Sequence, residues 1–248
     1  MEPRQASQQA QKEKLNAHAI KTVWSKQLED MASGSVHGII WSNELLDAFA
    51  VEVWRWNQSA SLWQKQGVRM PVDQLEWARL EGITLPPAEF SPFAEGLAQV
   101  LPEGFQIERQ TEAIAWWKLA AQKLKTGWLM AADYGETESH FWQPERCQGT
   151  LRGYRQHRIC DPLAAIDGET DLTTTVHFDL IAEAGTSAGL ATEFYGPQRR
   201  FLIDQVAASD QTTKTGIRSE QARALMTLTS PDQLGSKFKI LVQKKTEH

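Results

Sequence analysis

Two short apolar runs, each ending in a carboxylate, constrain this chain most. Residues 36–41 read V-H-G-I-I-W and pass directly into S-N-E-L-L-D-A-F; residues 128–133 read W-L-M-A-A-D and pass into Y-G-E. Both are too short for a typical helix and rich in apolar residues. Glycine or polar residues bound them, as expected of strands buried on both faces of a parallel sheet. Between them, Ala113, Trp116, Trp117, Ala120, Ala121 and Leu124 recur at helical spacing over residues 111–125. Thr111 is placed to cap that helix and Gly127 to end it. Strand, loop, helix and strand in this order predict an open α/β sheet. Ligands in such sheets bind beyond the carboxyl ends of the strands. Chemistry is therefore expected at residues 42–47 and 133–136.

The remaining text fills in around this frame. Residues 4–16 predict a polar helix, 20–24 a short strand and 25–32 a helical turn. Residues 51–56 and 61–68 predict a hairpin turning at Asn57-Gln58-Ser59. Pro86, Pro87, Pro92 and Pro102, with Pro71 just before them, mark an insertion over residues 82–105, with a short helix near 93–100. Residues 135–172 show little periodicity and predict a long loop, usually a functional or inserted segment at that length. A helix is expected over 176–186, capped by Thr174 or Thr175, then a strand and short helix over 190–203 and a helix over 219–228. The last strand is expected over 237–243, running antiparallel near one edge of the sheet.

Composition excludes several classes. A formal charge of −5 provides no basic surface for nucleic acid. No apolar run approaches the roughly 20 residues that span a bilayer, and residues 1–19 are polar, without the apolar stretch of a signal peptide. A cytoplasmic setting is the simplest expectation. Cys147 and Cys160 are expected to be free thiols in a reducing compartment. There is no G-x-G-x-x-G, phosphate loop, H-E-x-x-H or nucleophile elbow.

The candidate residues each admit two readings. Asn43, Glu44 and Asp47 follow the first strand. If a helix starts near Leu45, Glu44 and Asp47 share a face at its N-terminus, either capping it or forming a site. Asp133, Tyr134 and Glu136 close the second strand, where an acid either holds a loop or acts on a ligand. Arg152, Arg155, His157 and Arg158 crowd one segment that either binds an anion or pairs with Asp133 or Glu136. His177 reads as a core or helix-cap histidine.

Taken in order, these segments resemble the MidA-like methyltransferase family, whose mitochondrial member assists assembly of respiratory complex I. The likeness rests on S-N-E-L-L-D-A-F at 42–49, D-Y-G-E at 133–136 and G-T-L-R-G-Y-R-Q-H-R at 149–158. It continues with D-L-T-T-T-V-H-F at 171–178, P-Q-R-R-F-L at 197–202 and L-G-S-K-F-K-I-L at 234–241. The resemblance implies a Rossmann-like class I methyltransferase sheet, mostly parallel with an antiparallel C-terminal strand. It implies S-adenosylmethionine as methyl donor, a protein substrate with a target arginine, and a respiratory-complex subunit among the partners. For a eukaryotic member it implies the mitochondrial matrix.

By the same resemblance Glu44, Asp47, Asp133 and Glu136 are the candidate catalytic acids. Glu2, Ser42 and Asn43 are candidates for the donor, Glu2 standing where an acid meets the ribose. Tyr134, Arg155 and His157 are candidates for substrate or loop contacts, and no metal is implied. The chain departs from the family at its start, where the first strand and glycine-rich loop are not seen. Residues 1–248 therefore read as a partial methyltransferase domain, and the sheet edge so exposed predicts self-association. A catalytically inactive methyltransferase-fold binding or assembly protein is the competing expectation, and a small-molecule methyltransferase a third.

Overall fold

The computed structural model describes residues 5–16, 23–89, 92–164, 168–210, 219–232 and 234–246. The two apolar runs are neighbouring parallel strands, β1 (Val36–Asn43) and β6 (Leu124–Glu136), with Ile40 opposite Leu129 and Asn43 opposite Ala132. On the other side of β6 lies β12 (Phe238–Lys245), antiparallel to it, and then β11 (Ala191–Pro197), antiparallel to β12. The two-residue strand β10 (Val176–His177) extends the far end of β6 in parallel. Every strand of this sheet except β12 runs the same way, and β12 is second from the edge. β1, expected to be central, is itself an edge among the described residues.

One face of the sheet is covered by α3 (Thr111–Lys123) and α5 (Phe178–Ser187). Ala113, Trp117, Ala120, Ala121 and Ile181 pack there on Leu129, Ala131 and Leu241. The helical spacing of 111–125 thus becomes the principal core. Burying such side chains stabilises by roughly 1.5–3 kcal/mol each. One polar group is admitted because it is fully bonded. Trp117 Nε1 donates to Gln243 Oε1 at 2.7 Å, and Gln243 Nε2 donates to Ala182 O at 2.8 Å and Thr192 Oγ1 at 2.9 Å.

The opposite face carries α6 (Gln198–Asp210), α7 (Ser219–Thr229) and α8 (Leu234–Lys237), with Phe201 and Leu234 against Ala132, Phe238, Ile240 and Val242. At the β1 end of the same face Ile39 and Trp41 are 62% and 50% exposed.

Between β1 and α3 the chain builds a second, antiparallel sheet in the order β4-β3-β2-β5. Its strands are β2 (Glu52–Asn57), β3 (Leu62–Arg69), β4 (Glu76–Leu85) and β5 (Gln106–Arg109). Trp54, Trp56, Trp63, Phe105 and Trp142 form its own core, joined by Ala94 from α2 (Pro92–Leu97). The expected hairpin is β2–β3, whereas β4 was not foreseen. Residues 135–172 hold α4 (Glu138–Phe141) and a third sheet in the order β8-β7-β9. Its strands are β7 (Arg152–Arg155), β8 (Arg158–Cys160) and β9 (Asp171–Thr173).

Several local expectations are corrected. The polar N-terminal helix is α1 (Gln5–Asn16). Val23 and Trp24 carry no strand, the rest of that expected strand lying outside the described residues. Gln110, not Thr111, precedes the first turn of α3. Gly127 does not end that helix. It lies inside β6 at φ +118°, where a side chain would run into the backbone of Gly38. His177, not Thr174 or Thr175, stands at the start of α5. Cys147 and Cys160 are free and half-buried. No helix among the described residues is long and apolar enough to cross a membrane.

Candidate functional site

The segment after β1 is not a helix. Glu44 N donates to Ala132 O at 3.0 Å, the last rung of the β1–β6 ladder, and Glu44 then takes a left-handed backbone at φ +46°. The chain curls so that three successive amides face one acceptor. Leu45, Leu46 and Asp47 N–H donate to Asp133 Oδ2 at 3.1, 2.9 and 3.4 Å. Tyr134 N–H donates to the other carboxylate oxygen at 2.8 Å. Asp133 is 1% exposed, and these four bonds account for both its oxygens. Burial, then the charge of Asp47, push its pKa up to about 7 against the opposing amide bonds. Asp133 thereby holds the loop that follows β1.

A second buried network fixes the opposite wall. Gln106, Glu108 and Gln110 alternate along and just beyond β5. Glu108 Oε2 accepts from Thr150 N at 2.8 Å and Thr150 Oγ1 at 3.0 Å. Gln110 Nε2 donates to Thr175 O at 2.7 Å and Thr174 Oγ1 at 3.3 Å, and its Oε1 accepts from His177 N at 2.9 Å. Thr174 N donates to Asp47 O at 3.0 Å, which ties the wall to the loop. Sequence reasoning missed Glu108 and Gln110; the signal was the period-two polar alternation of Q-I-E-R-Q, which puts three polar side chains on one face of a strand.

Between these walls lies a cleft of about 910 Å³, bordered by Glu44, Asp47, Tyr134 to Glu136, the β7 segment and Thr173 to Thr175. Asp47 is 7% exposed. Its pKa is pushed up to about 6, first by burial and then by the charge of Glu44, while the N–H groups of Asp47 and Ala48 oppose the shift. Glu44 is exposed, its Oε1 held by Asn43 Nδ2 at 3.2 Å. Neither Glu44 nor Asp47 forms an ion pair among the described residues. Glu136 is different, with Lys239 Nζ at 3.6 Å and His140 Nδ1 at 3.8 Å. Tyr134 stands over Phe238 with ring centroids 4.2 Å apart, its pKa raised by burial and then by Glu44.

The other candidates fall as follows. Ser42 is buried and its Oγ donates to Met130 O at 3.4 Å, inside the sheet. His157 lies in the two-residue turn joining β7 to β8, at φ +62° after Gln156 at φ +50°, and lines the cleft. Arg155, one residue before that turn, is exposed and outside the cleft's lining. Arg146, Arg152 and Lys237 border the cleft instead. His177 is buried and stacked on Phe141 at 4.4 Å, and burial lowers its pKa against the opposing charge of Glu138. Glu2 lies outside the described residues. Among the described residues no group of His, Cys, Asp and Glu is placed to hold a metal ion.

The strands of the open α/β sheet thus end at a cleft bordered by Glu44, Asp47 and Tyr134 together with Arg146, Arg152 and Lys237. Over residues 1–196 the chain matches the family model described as "Putative S-adenosyl-L-methionine-dependent methyltransferase", and it belongs to that family. Two solved structures from Burkholderia thailandensis are similar. One, a "COG1565 superfamily member and likely methyl transferase" bound to S-adenosyl-homocysteine, is 28% identical with a TM-score of 0.68 over 87% of this chain and 55% of its own. The other, an uncharacterised protein of the same superfamily, is 26% identical with a TM-score of 0.76 over 96% of this chain and 63% of its own. The chain thus spans less than two thirds of the length of either. No curated protein matches it.

Proposed function

We propose that this chain forms the methyl-acceptor side of an S-adenosylmethionine-dependent N-methyltransferase acting on arginine of a protein. The observation that carries the reading is the pair Glu44 and Asp47, two carboxylates that border one cleft without an ion pair of their own among the described residues. A guanidinium supplies that cation, and its planar fork bonds carboxylates in a bidentate manner. Lysine ammonium is a poorer match to two acceptors on one loop. Asp47, raised to about 6, is ionised at neutral pH and is still basic enough to take the proton that a methylated nitrogen sheds.

The donor's chemistry fits the residues present. S-adenosylmethionine, when bound, supplies an electrophilic methyl group on a sulfonium, so no metal is required. A sulfonium is favoured beside the exposed ring of Tyr134. Asn43 would hold the donor's amino-acid part or orient Glu44, which it already contacts at 3.2 Å. β1 leaves one edge unpaired among the described strands, and Ile39 and Trp41 present an uncovered apolar face beside it.

The test is transfer of labelled methyl from S-adenosylmethionine to arginyl, lysyl and citrullinyl versions of one acceptor peptide, using the intact protein that contains this chain. Label on the arginyl peptide alone is the expected result. Equal labelling of lysine, or none on arginine, contradicts it.

A further inference from the structure

A second cavity, of about 500 Å³, lies across Asp47 from the cleft. Asp47, Thr173 and Thr174 line both cavities, so the two meet at Asp47. The second cavity is apolar in character: Phe49, Val51, Val68, Trp77, Leu151 and Leu172 line it. Its charged residues besides Asp47 are matched to each other, Lys65 Nζ bonding Glu52 Oε1 at 2.6 Å. Lys65 therefore does not compete for Asp47. The cavity opens to solvent beside Val68 and Leu172, which are 49% and 45% exposed.

We infer that this cavity binds a bulky apolar side chain adjacent to the methyl-accepting arginine, so that the protein selects an apolar–arginine sequence rather than arginine alone. The inference rests on the arginine reading of the cleft and adds to it a specificity subsite. Three features argue for one continuous peptide rather than a free small molecule. The two cavities share Asp47, the residue whose carboxylate would grip the cation. Their remaining linings differ in polarity, as neighbouring side chains of a peptide do. The apolar cavity opens outward between an edge strand, β4, and another edge strand, β9, which leaves an exit for the chain on either side. Enclosing one large apolar side chain is worth enough to shift affinity by about tenfold or more.

The experiment is a calorimetric titration of the 248-residue chain with three capped dipeptide amides, acetyl-Leu-Arg, acetyl-Gly-Arg and acetyl-Leu-citrulline. The wild type is compared with Leu172→Ser, Val68→Ser and Asp47→Asn. Acetyl-Leu-Arg should bind about tenfold more tightly than acetyl-Gly-Arg. Leu172→Ser and Val68→Ser, both at exposed positions and expected to fold, should each reduce that preference. Asp47→Asn should weaken both arginine peptides. Equal affinity for the leucyl and glycyl peptides, or a preference unchanged in both serine variants, overturns the subsite and leaves the cleft reading standing. Acetyl-Leu-citrulline binding as tightly as acetyl-Leu-Arg overturns the cleft reading, and the subsite with it. Absence of binding by every peptide overturns the subsite.

Discussion

Replacing Asp47 by asparagine should make the protein more stable at neutral pH while removing its grip on a cation. The carboxyl is buried, and its pKa rises from 3.8 to about 6. A folded-state pKa above the unfolded value means that the native state holds the proton more tightly. Stability contributed by this group is therefore complete below about pH 4 and lost as pH rises through about 6. Two pKa units at about 1.36 kcal/mol each place the loss at roughly 3 kcal/mol by pH 7.5. Asparagine avoids that loss. It gives up some strength in the bonds from the N–H groups of Asp47 and Ala48, about 0.5–1.5 kcal/mol each for ordinary hydrogen bonds. A net gain of about 0–2 kcal/mol remains, in contrast to the capping loss expected had residues 45–49 been helical. Urea unfolding of both proteins at pH 7.5 and 4.5 measures it. The variant should be more stable at pH 7.5, with the gain gone or reversed at pH 4.5. A variant less stable at pH 7.5, or a gain independent of pH, refutes the burial argument.

Asp133→Ala leaves the amides of Leu45, Leu46, Asp47 and Tyr134 without their acceptor, so unfolding experiments near pH 5 should show a loss of about 3 kcal/mol or more. Hydrogen exchange at Leu45 to Asp47 should accelerate in the same variant. Gly127→Ala combines a left-handed backbone with a collision at Gly38 in the β1–β6 ladder, and calorimetric melting should show at least about 2 kcal/mol of destabilisation. Arginine-peptide binding by the wild type should fall about tenfold per pH unit below about 6, as Asp47 takes up its proton. Glu44→Gln should move that midpoint down, because removing the Glu44 charge removes part of what raises it.

The elements that sequence reveals are those whose pattern is local. β1, β6 and α3 are written in apolar runs and helical spacing. β4 is not, since E-W-A-R-L-E-G-I-T-L mixes charges and glycine on an exposed edge strand whose residues face water as often as the core. The loop after β1 was misread because L-L-D-A-F has good helix formers. The amides of Leu45 and Leu46 are taken by a distant acceptor, the carboxylate of residue 133, after a left-handed turn at Glu44, and neither is written in the local sequence. The third sheet escaped notice for a related reason. β7 pairs with β9 across residues 155–171, and its tight turn to β8 uses Gln156 and His157 at positive φ instead of glycine. At the candidate site, the strand-end acids stand out in sequence because open sheets bind ligands there, but their surroundings do not. Asp133 and Asp47 look alike in sequence, and only the direction of backbone amides separates the acid that holds the loop from the one that faces the cleft.

The account turns on Glu44 and Asp47 facing an acceptor cation while the donor is held elsewhere. The most direct measurement is Glu44→Gln in the intact protein, with donor affinity and methyl transfer to an arginine peptide determined side by side. The Glu44 side chain is exposed and, among the described residues, bonded to Asn43 alone, a bond glutamine can keep, so the fold should be unaffected. Donor affinity should remain within about twofold, while transfer falls by about 10²-fold, equivalent to about 2.7 kcal/mol of transition-state stabilisation. Transfer at the parent rate, or a loss confined to donor binding, contradicts the assignment of this cleft to the guanidinium.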